Sequence, residues 1–221
     1  MFFQNKIKNL PPAFQINQKI AKICASLIAI TFAFSLSGCS TEYKNPNLPQ
    51  LKTSSDYYSM VEKNTQKKQI YDGFYATLEM SSTFLNAAVI TTQLDHMARI
   101  YQWDVDQYNN KKAEMQTRLS KQTEFFVGFF VPERKNDDLH KRSTLWKIFL
   151  DAGGKRYEGK AEKIKTILAD LQALYPHHTR FHTPYRFVFN VPTSVVEAGE
   201  AKLTITGPVG SAFLQYNPAA R

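Results

Sequence analysis

Beyond residue 39 the chain has no cysteine at all; its two are Cys24 and Cys39. The body of the protein can therefore form no internal disulfide, and it offers neither a thiol nucleophile nor a thiolate metal ligand. Glycine is scarce, nine residues in 221, so loops that cradle phosphate have little material. No GxxxxGK(S/T) loop, GxGxxG turn, HExxH helix or GxSxG elbow occurs. Lysine and arginine form no dense run, so the net charge of +9 leaves no nucleic-acid footprint. Acid is missing from residues 1–38, which carry Lys6, Lys8, Lys19 and Lys22 and so leave +5 on the remainder. A mildly basic surface of that size serves solubility, or weak attraction to anionic head groups and wall polymers. No nucleic-acid partner, cofactor or metal is expected.

What the first forty residues do contain is an uncharged apolar run, Ile23–Leu36, reading ICASLIAITFAFSL. At 1.5 Å per residue it reaches only about 21 Å, short of the ~30 Å hydrocarbon core of a bilayer. It suits a signal-peptide core better than a spanning helix, with Lys19 and Lys22 as the basic flank. Small residues follow, and Leu36-Ser37-Gly38-Cys39 resembles the lipobox of bacterial lipoproteins. That resemblance, confined to residues 1–39, implies cleavage before Cys39 and a diacylglyceryl group on its thiol. Anchoring by two or more acyl chains is effectively permanent, whereas one chain holds only marginally. Ser40 rather than aspartate after the cysteine implies, by the same resemblance, sorting to the outer membrane. Residues 1–38 are thus expected to be a signal peptide. Residues 39–55, with Asn45, Pro46, Asn47 and Pro49, read as an extended tether of up to about 50 Å. One globular domain is expected over 56–221.

Within that domain, Ser54 or Ser55 can cap a short helix running to Lys68. Phe74–Met80 alternates, with Phe74, Ala76, Leu78 and Met80 on one face and Tyr75, Thr77 and Glu79 on the other, as a half-buried strand does. From Ile90 the apolar gaps become three and four through Leu94, Met97, Tyr101, Val105, Tyr108, Met115 and Leu119. Over 82–121 this predicts either one rod of about 54 Å or two helices turning at Asn109-Asn110, with Ser81–Thr83 as the start. Phe125–Val131 (FFVGFFV) is apolar on both faces, like a central strand. Leu145–Leu150 is a further strand, Gly153-Gly154 a turn, and Ala161–Leu174 a helix stopped by Pro176. Tyr185–Val191 alternates with Tyr185, Phe187, Phe189 and Val191 inward, and a hairpin around Gly207-Pro208 joins Lys202–Thr206 to Ser211–Tyr216. Five or six strands without a βαβ rhythm predict an α+β fold. Its form would be an antiparallel β-sandwich, immunoglobulin-like, with a long inserted helix or helical hairpin.

Two clusters carry candidate chemistry. His177, His178 and His182 fall within six residues, but an extended backbone would hold the Cα atoms of His178 and His182 about 13 Å apart. Two rings that far apart do not share a metal comfortably, and no nearby acid offers a further ligand, so an exposed polar loop is the expectation. Asn136-Asp137-Asp138 with His140 places two acids side by side, where adjacent side chains point apart, and reads as a loop turn. Tyr175-Pro176 and Pro184-Tyr185 bracket the histidines as a rigid aromatic loop that either plugs the core or meets a partner. The expectation is an outer-membrane-anchored, non-enzymatic binding or scaffolding domain with an envelope protein partner, held by lipid on Cys39. The alternatives are an anchored hydrolase using His177, His178 or His182, and a lipoprotein that self-assembles through the long helix.

Overall fold

The computed structural model of the chain describes residues 51–217; the apolar run, Cys39 and most of the expected tether lie outside them. Among the described residues no helix is long and apolar enough to cross a membrane. The chain begins with helix α1 (Ser54–Lys63), strands β1 (Thr65–Asp72) and β2 (Tyr75–Phe84), and helices α2 (Ala87–Tyr101) and α3 (Val105–Leu119). It continues through β3 (Thr123–Phe130), β4 (Lys147–Ala152), β5 (Lys155–Glu158), β6 (Lys160–Lys163), α4 (Leu168–Leu174) and β7 (Thr183–Phe189). Helix α5 (Thr193–Glu197) and the hairpin β8 (Ala201–Gly207) and β9 (Gly210–Tyr216) complete it. The strands make two antiparallel sheets, one in the order β1-β2-β3-β7-β6 and one in the order β5-β4-β8-β9. The fold is mixed α+β.

The expected alternation places the core. Phe125, Val127 and Phe129 of β3 and Tyr185, Phe187 and Phe189 of β7 join Leu150 of β4 and Leu203 and Ile205 of β8 in one apolar cluster. Each such side chain stabilises the fold by about 1.5–3 kcal/mol relative to exposure. The opposite side of β3 presents Phe126 to a second cluster, made with Tyr57 and Val61 of α1, Val89, Ile90 and Leu94 of α2, Leu171 of α4 and Tyr175 just after it. The central strands are thus apolar on one face, and on the other where helices lie against them. That accounts for the inward Phe125, Val127 and Phe129 and for Phe126 opposite them, while Phe130 lies half-buried beyond the helices.

Several boundaries differ from expectation. Thr53, not Ser54 or Ser55, caps α1: its side chain accepts from the Asp56 backbone N–H while Asp56 accepts from its own. Helix α1 stops at Lys63, and the polar stretch TQKKQIYD is a sheet-edge strand. The 82–121 segment is two helices, but Asn109-Asn110 lies inside the second. The break falls at Gln102, whose φ of 52° ends α2 in the left-handed region, and Asp104 starts α3 in a reciprocal cap with Gln107. Asn86, not Ser81–Thr83, caps α2, because Ser81–Phe84 remain in β2. Of the predicted stripe, Ile90, Leu94 and Tyr108 are buried within the domain, Met115 and Leu119 are partly buried, and Tyr101 is 57% exposed. Residues Lys160–Lys163 are strand rather than helix, and α4 begins only at Leu168. The β1–β2 register shifts so that Ile70 faces Leu78 and Tyr71 faces Ala76. Thr77 is an extra residue there, and the alternation of β2 slips by one.

Candidate functional site

Past the helical layer, the outer face of the five-stranded sheet is polar. Strand alternation sends Lys67, Gln69 and Tyr71 of β1 to that face, and pairing puts Ser81 opposite Lys67 and Glu79 opposite Gln69. In β3, Gly128 lies beside Ser81 and Phe130 beside Glu79. The segment between α4 and β7 crosses over these strands. It folds through two tight turns, with the His178 N–H donating to the Tyr175 carbonyl at 2.9 Å and the His182 N–H to the Thr179 carbonyl at 3.2 Å. Tyr175 anchors its start by stacking on Phe126, ring centroids 3.6 Å apart and nearly parallel. The aromatic loop therefore plugs the helical side of the core, one of the two roles its sequence allowed.

Those turns overturn the extended-chain expectation for the histidines. The rings of His178 and His182 come to 6.4 Å between centroids, and His178 is 2% exposed. His177 reaches Thr83, with Nε2 at 3.3 Å from Oγ1. His182 pairs Nδ1 with the Thr179 hydroxyl at 2.6 Å and holds Nε2 at 3.8 Å from Glu79 Oε2. The acid that sequence proximity did not offer arrives from β2, about a hundred residues away along the chain. Gly128 makes the approach possible. A Cβ there would lie 2.8 Å from Ser81 Oγ and 3.2 Å from His178 Nδ1, so only a bare backbone lets the loop settle over β3. His178 Nδ1 is buried without a hydrogen-bond partner among the described residues.

Burial sets the electrostatics. It pushes the His177 imidazole down to about 4, with Lys67 and the other two histidines adding to the effect. His178 and His182 are also lowered, by burial first, although Glu79 opposes the shift at His182. At neutral pH the three rings are uncharged donors and acceptors. Lys67, Gln69, Glu79, Ser81, Thr179 and His182 line a cavity of about 320 Å³. A larger hollow of about 450 Å³ lies at the Gly153-Gly154 turn, but its Asp151 and Arg156 are already joined in a two-pronged ion pair.

No family model, curated protein or solved structure matches this chain. Among the described residues no three His, Cys, Asp or Glu side chains are placed to hold a metal ion. The second cluster behaves as its sequence suggests. Asp137 and Asp138 point apart, Asp137 accepting from the Tyr185 and Thr183 hydroxyls at 2.9 and 2.5 Å, Asp138 from Thr144 at 2.9 Å. His140 lies 3.4 Å from the Tyr185 hydroxyl, so this group pins a loop to β7. The groove residues that sequence reasoning passed over are Lys67, Gln69 and Ser81, with Gly128 beside Ser81 and Tyr71 bonded to Gln69. One signal was available: a lone glycine within an apolar strand marks close approach of another chain segment.

Proposed function

We propose that this chain is a lipid-anchored protein of the bacterial envelope, acylated on Cys39 and sorted to the outer membrane. Its 56–221 domain is a non-enzymatic binding module, and its two sheets are the halves of an immunoglobulin-like β-sandwich. The anchor is supported by the apolar run ending in Leu36-Ser37-Gly38-Cys39. The binding role is carried by one observation, the polar groove over β1 and β2 that the helical layer leaves uncovered. Mixed donors and acceptors in a concave surface are what fix the orientation of a ligand. A photocrosslinking residue at position 69 should capture an envelope component in intact cells, whereas the same residue at position 155, on the other sheet, should not. Equal capture at both positions, or at neither, defeats the binding role. Metabolic labelling with a fatty-acid analogue should mark the wild type and leave Cys39→Ser unmarked.

A second reading, an anchored hydrolase, draws on a specific observation. Ser81 Oγ and His178 Nδ1 both lie close to where a Gly128 Cβ would stand, and His182 Nε2 faces Glu79 at 3.8 Å; these are the residue types of a nucleophile, a base and an orienting acid. It requires wild-type protein to turn over envelope lipid or cell-wall material and Ser81→Ala to abolish that turnover. Wild-type protein inert on both materials leaves only the binding role.

A further inference from the structure

The contents of the groove narrow the kind of molecule it can hold. Lys67 is its cation and Glu79 its carboxylate. Lys68 also borders it, but its ammonium sits 5.7 Å from the centre of the Phe213 ring, on a different strand pair. With the Lys68 ammonium held toward Phe213, the floor itself presents one charge of each sign, Lys67 and Glu79, and an entering ion of either sign meets its like. The rest of the lining is uncharged: Met80 gives it an apolar part, Gln69 and the Ser81 hydroxyl both donate and accept, and behind them Thr179 pairs with His182 and His177 with Thr83. Such a set matches a ligand made mostly of hydroxyl groups, each of which also donates and accepts.

Two aromatic rings flank this polar floor. Tyr71, 56% exposed, stands at the hairpin end of β1 on the same face as Gln69, its hydroxyl donating to Gln69 Oε1 at 3.1 Å. Phe130, half-buried, sits opposite Glu79 on β3 and lies 6.1 Å from the His182 ring. Ring faces carry negative quadrupole charge and attract weakly positive C–H groups, such as those on the apolar face of a sugar ring. From Tyr71 to the level of Thr65 and Thr83, where His177 closes the far end, the face runs about 20 Å at strand rise. That length exceeds a single sugar ring.

We infer that the groove binds a neutral oligosaccharide, laid along the outer face of β1 and β2 between Tyr71 and His177. The inference rests on the groove being the binding site proposed above, and it names the ligand class. Tyr71 supplies the stacking platform, Gln69 and Lys67 the donors, and Glu79 and Ser81 the acceptors.

The test is titration of the full chain, kept in a detergent without a sugar head group, with cellotetraose, maltotetraose and chitotetraose, and separately with inorganic tripolyphosphate. At least one tetrasaccharide should bind. Tyr71→Ala and Gln69→Ala should each weaken it about five- to tenfold, the loss expected for one stacking or hydrogen-bonding partner. Both side chains are exposed, so the thermal midpoints of these variants should match the wild type. Affinity should change by less than about twofold between roughly 0.05 and 0.5 M salt, because screening acts on charge and not on neutral contacts. Binding of none of the three sugars overturns the inference, and so does tripolyphosphate binding more tightly than all of them. Sugar binding that survives both substitutions places the site elsewhere and overturns it too. Capture at position 69 with no sugar bound would keep the groove as a binding site and remove only its ligand class, so the two failures are distinguishable.

Discussion

His177 is the residue whose chemistry changes most on folding within the groove. Burial, then Lys67 and the neighbouring His178 and His182, lowers it from the ordinary 6.5 to about 4. The unfolded chain takes up a proton near pH 6.5, and the folded chain resists it until about 4, so protons favour unfolding across that interval. Stability should be fully present above pH 6.5 and decline as pH falls toward 4, by roughly 3 kcal/mol from this residue alone. Urea midpoints at about pH 7.5 and 4.5 should show the decline, and His177→Gln should flatten it. A residual slope should persist from His178, His182 and His96, all lowered by burial. An equal slope in wild type and variant would show that the ring is solvated. Gly128 gives a second residue-scale test. Alanine there crowds Ser81 Oγ and His178 Nδ1 and should cost about 1–3 kcal/mol. Adding Ser81→Ala removes the nearer of the two atoms and should return part of that loss.

At the scale of elements, the joints between helices are polar and specific. Tyr108 of α3 donates its hydroxyl to Asp95 Oδ1 of α2 at 2.7 Å, and Asp95 Oδ2 accepts from the Lys52 N–H at 3.2 Å ahead of α1. One buried carboxylate therefore holds three segments. Tyr108→Phe should cost about 1.5–3 kcal/mol, the value of a hydrogen bond to a charged group, and should loosen the 51–53 segment in hydrogen exchange. A loss below about 0.5 kcal/mol would mean the joint is held by packing alone. These same joints mark where the sequence could be read and where it could not. Strands β3 and β7 were legible because both lie inside the five-stranded sheet, where burial writes itself as apolar periodicity. Strand β1 was not, since an edge strand with one wet face needs only lysine and glutamine there. The α2–α3 break escaped because Gln102 has no special propensity for a left-handed turn, whereas Asn109-Asn110 has one and lies mid-helix. The histidines were visible as a cluster. The approach of His182 to Glu79 was not, because it depends on a β3 glycine, on two tight turns and on the stacking of Tyr175 against Phe126 of β3.

For the whole molecule, the two cysteines turn the proposed anchor into an internally controlled experiment. Only Cys39 follows Leu36-Ser37-Gly38, while Cys24 sits inside the run to be removed. If processing occurs as the lipobox resemblance implies, Cys24→Ser should carry the fatty-acid label like the wild type, and Cys39→Ser should carry none. Burial of acyl chain contributes about 0.8 kcal/mol per CH₂, enough for two or more long chains to make release negligible. The wild-type protein should accordingly stay with membranes through an alkaline carbonate wash and leave them in detergent. Its intact mass should equal residues 39–221 plus lipid rather than the full 221 residues. A label that follows Cys24, or a full-length mass in a freely soluble protein, would detach the domain from the membrane. The groove would then have to be explained as a site that meets its ligand in solution.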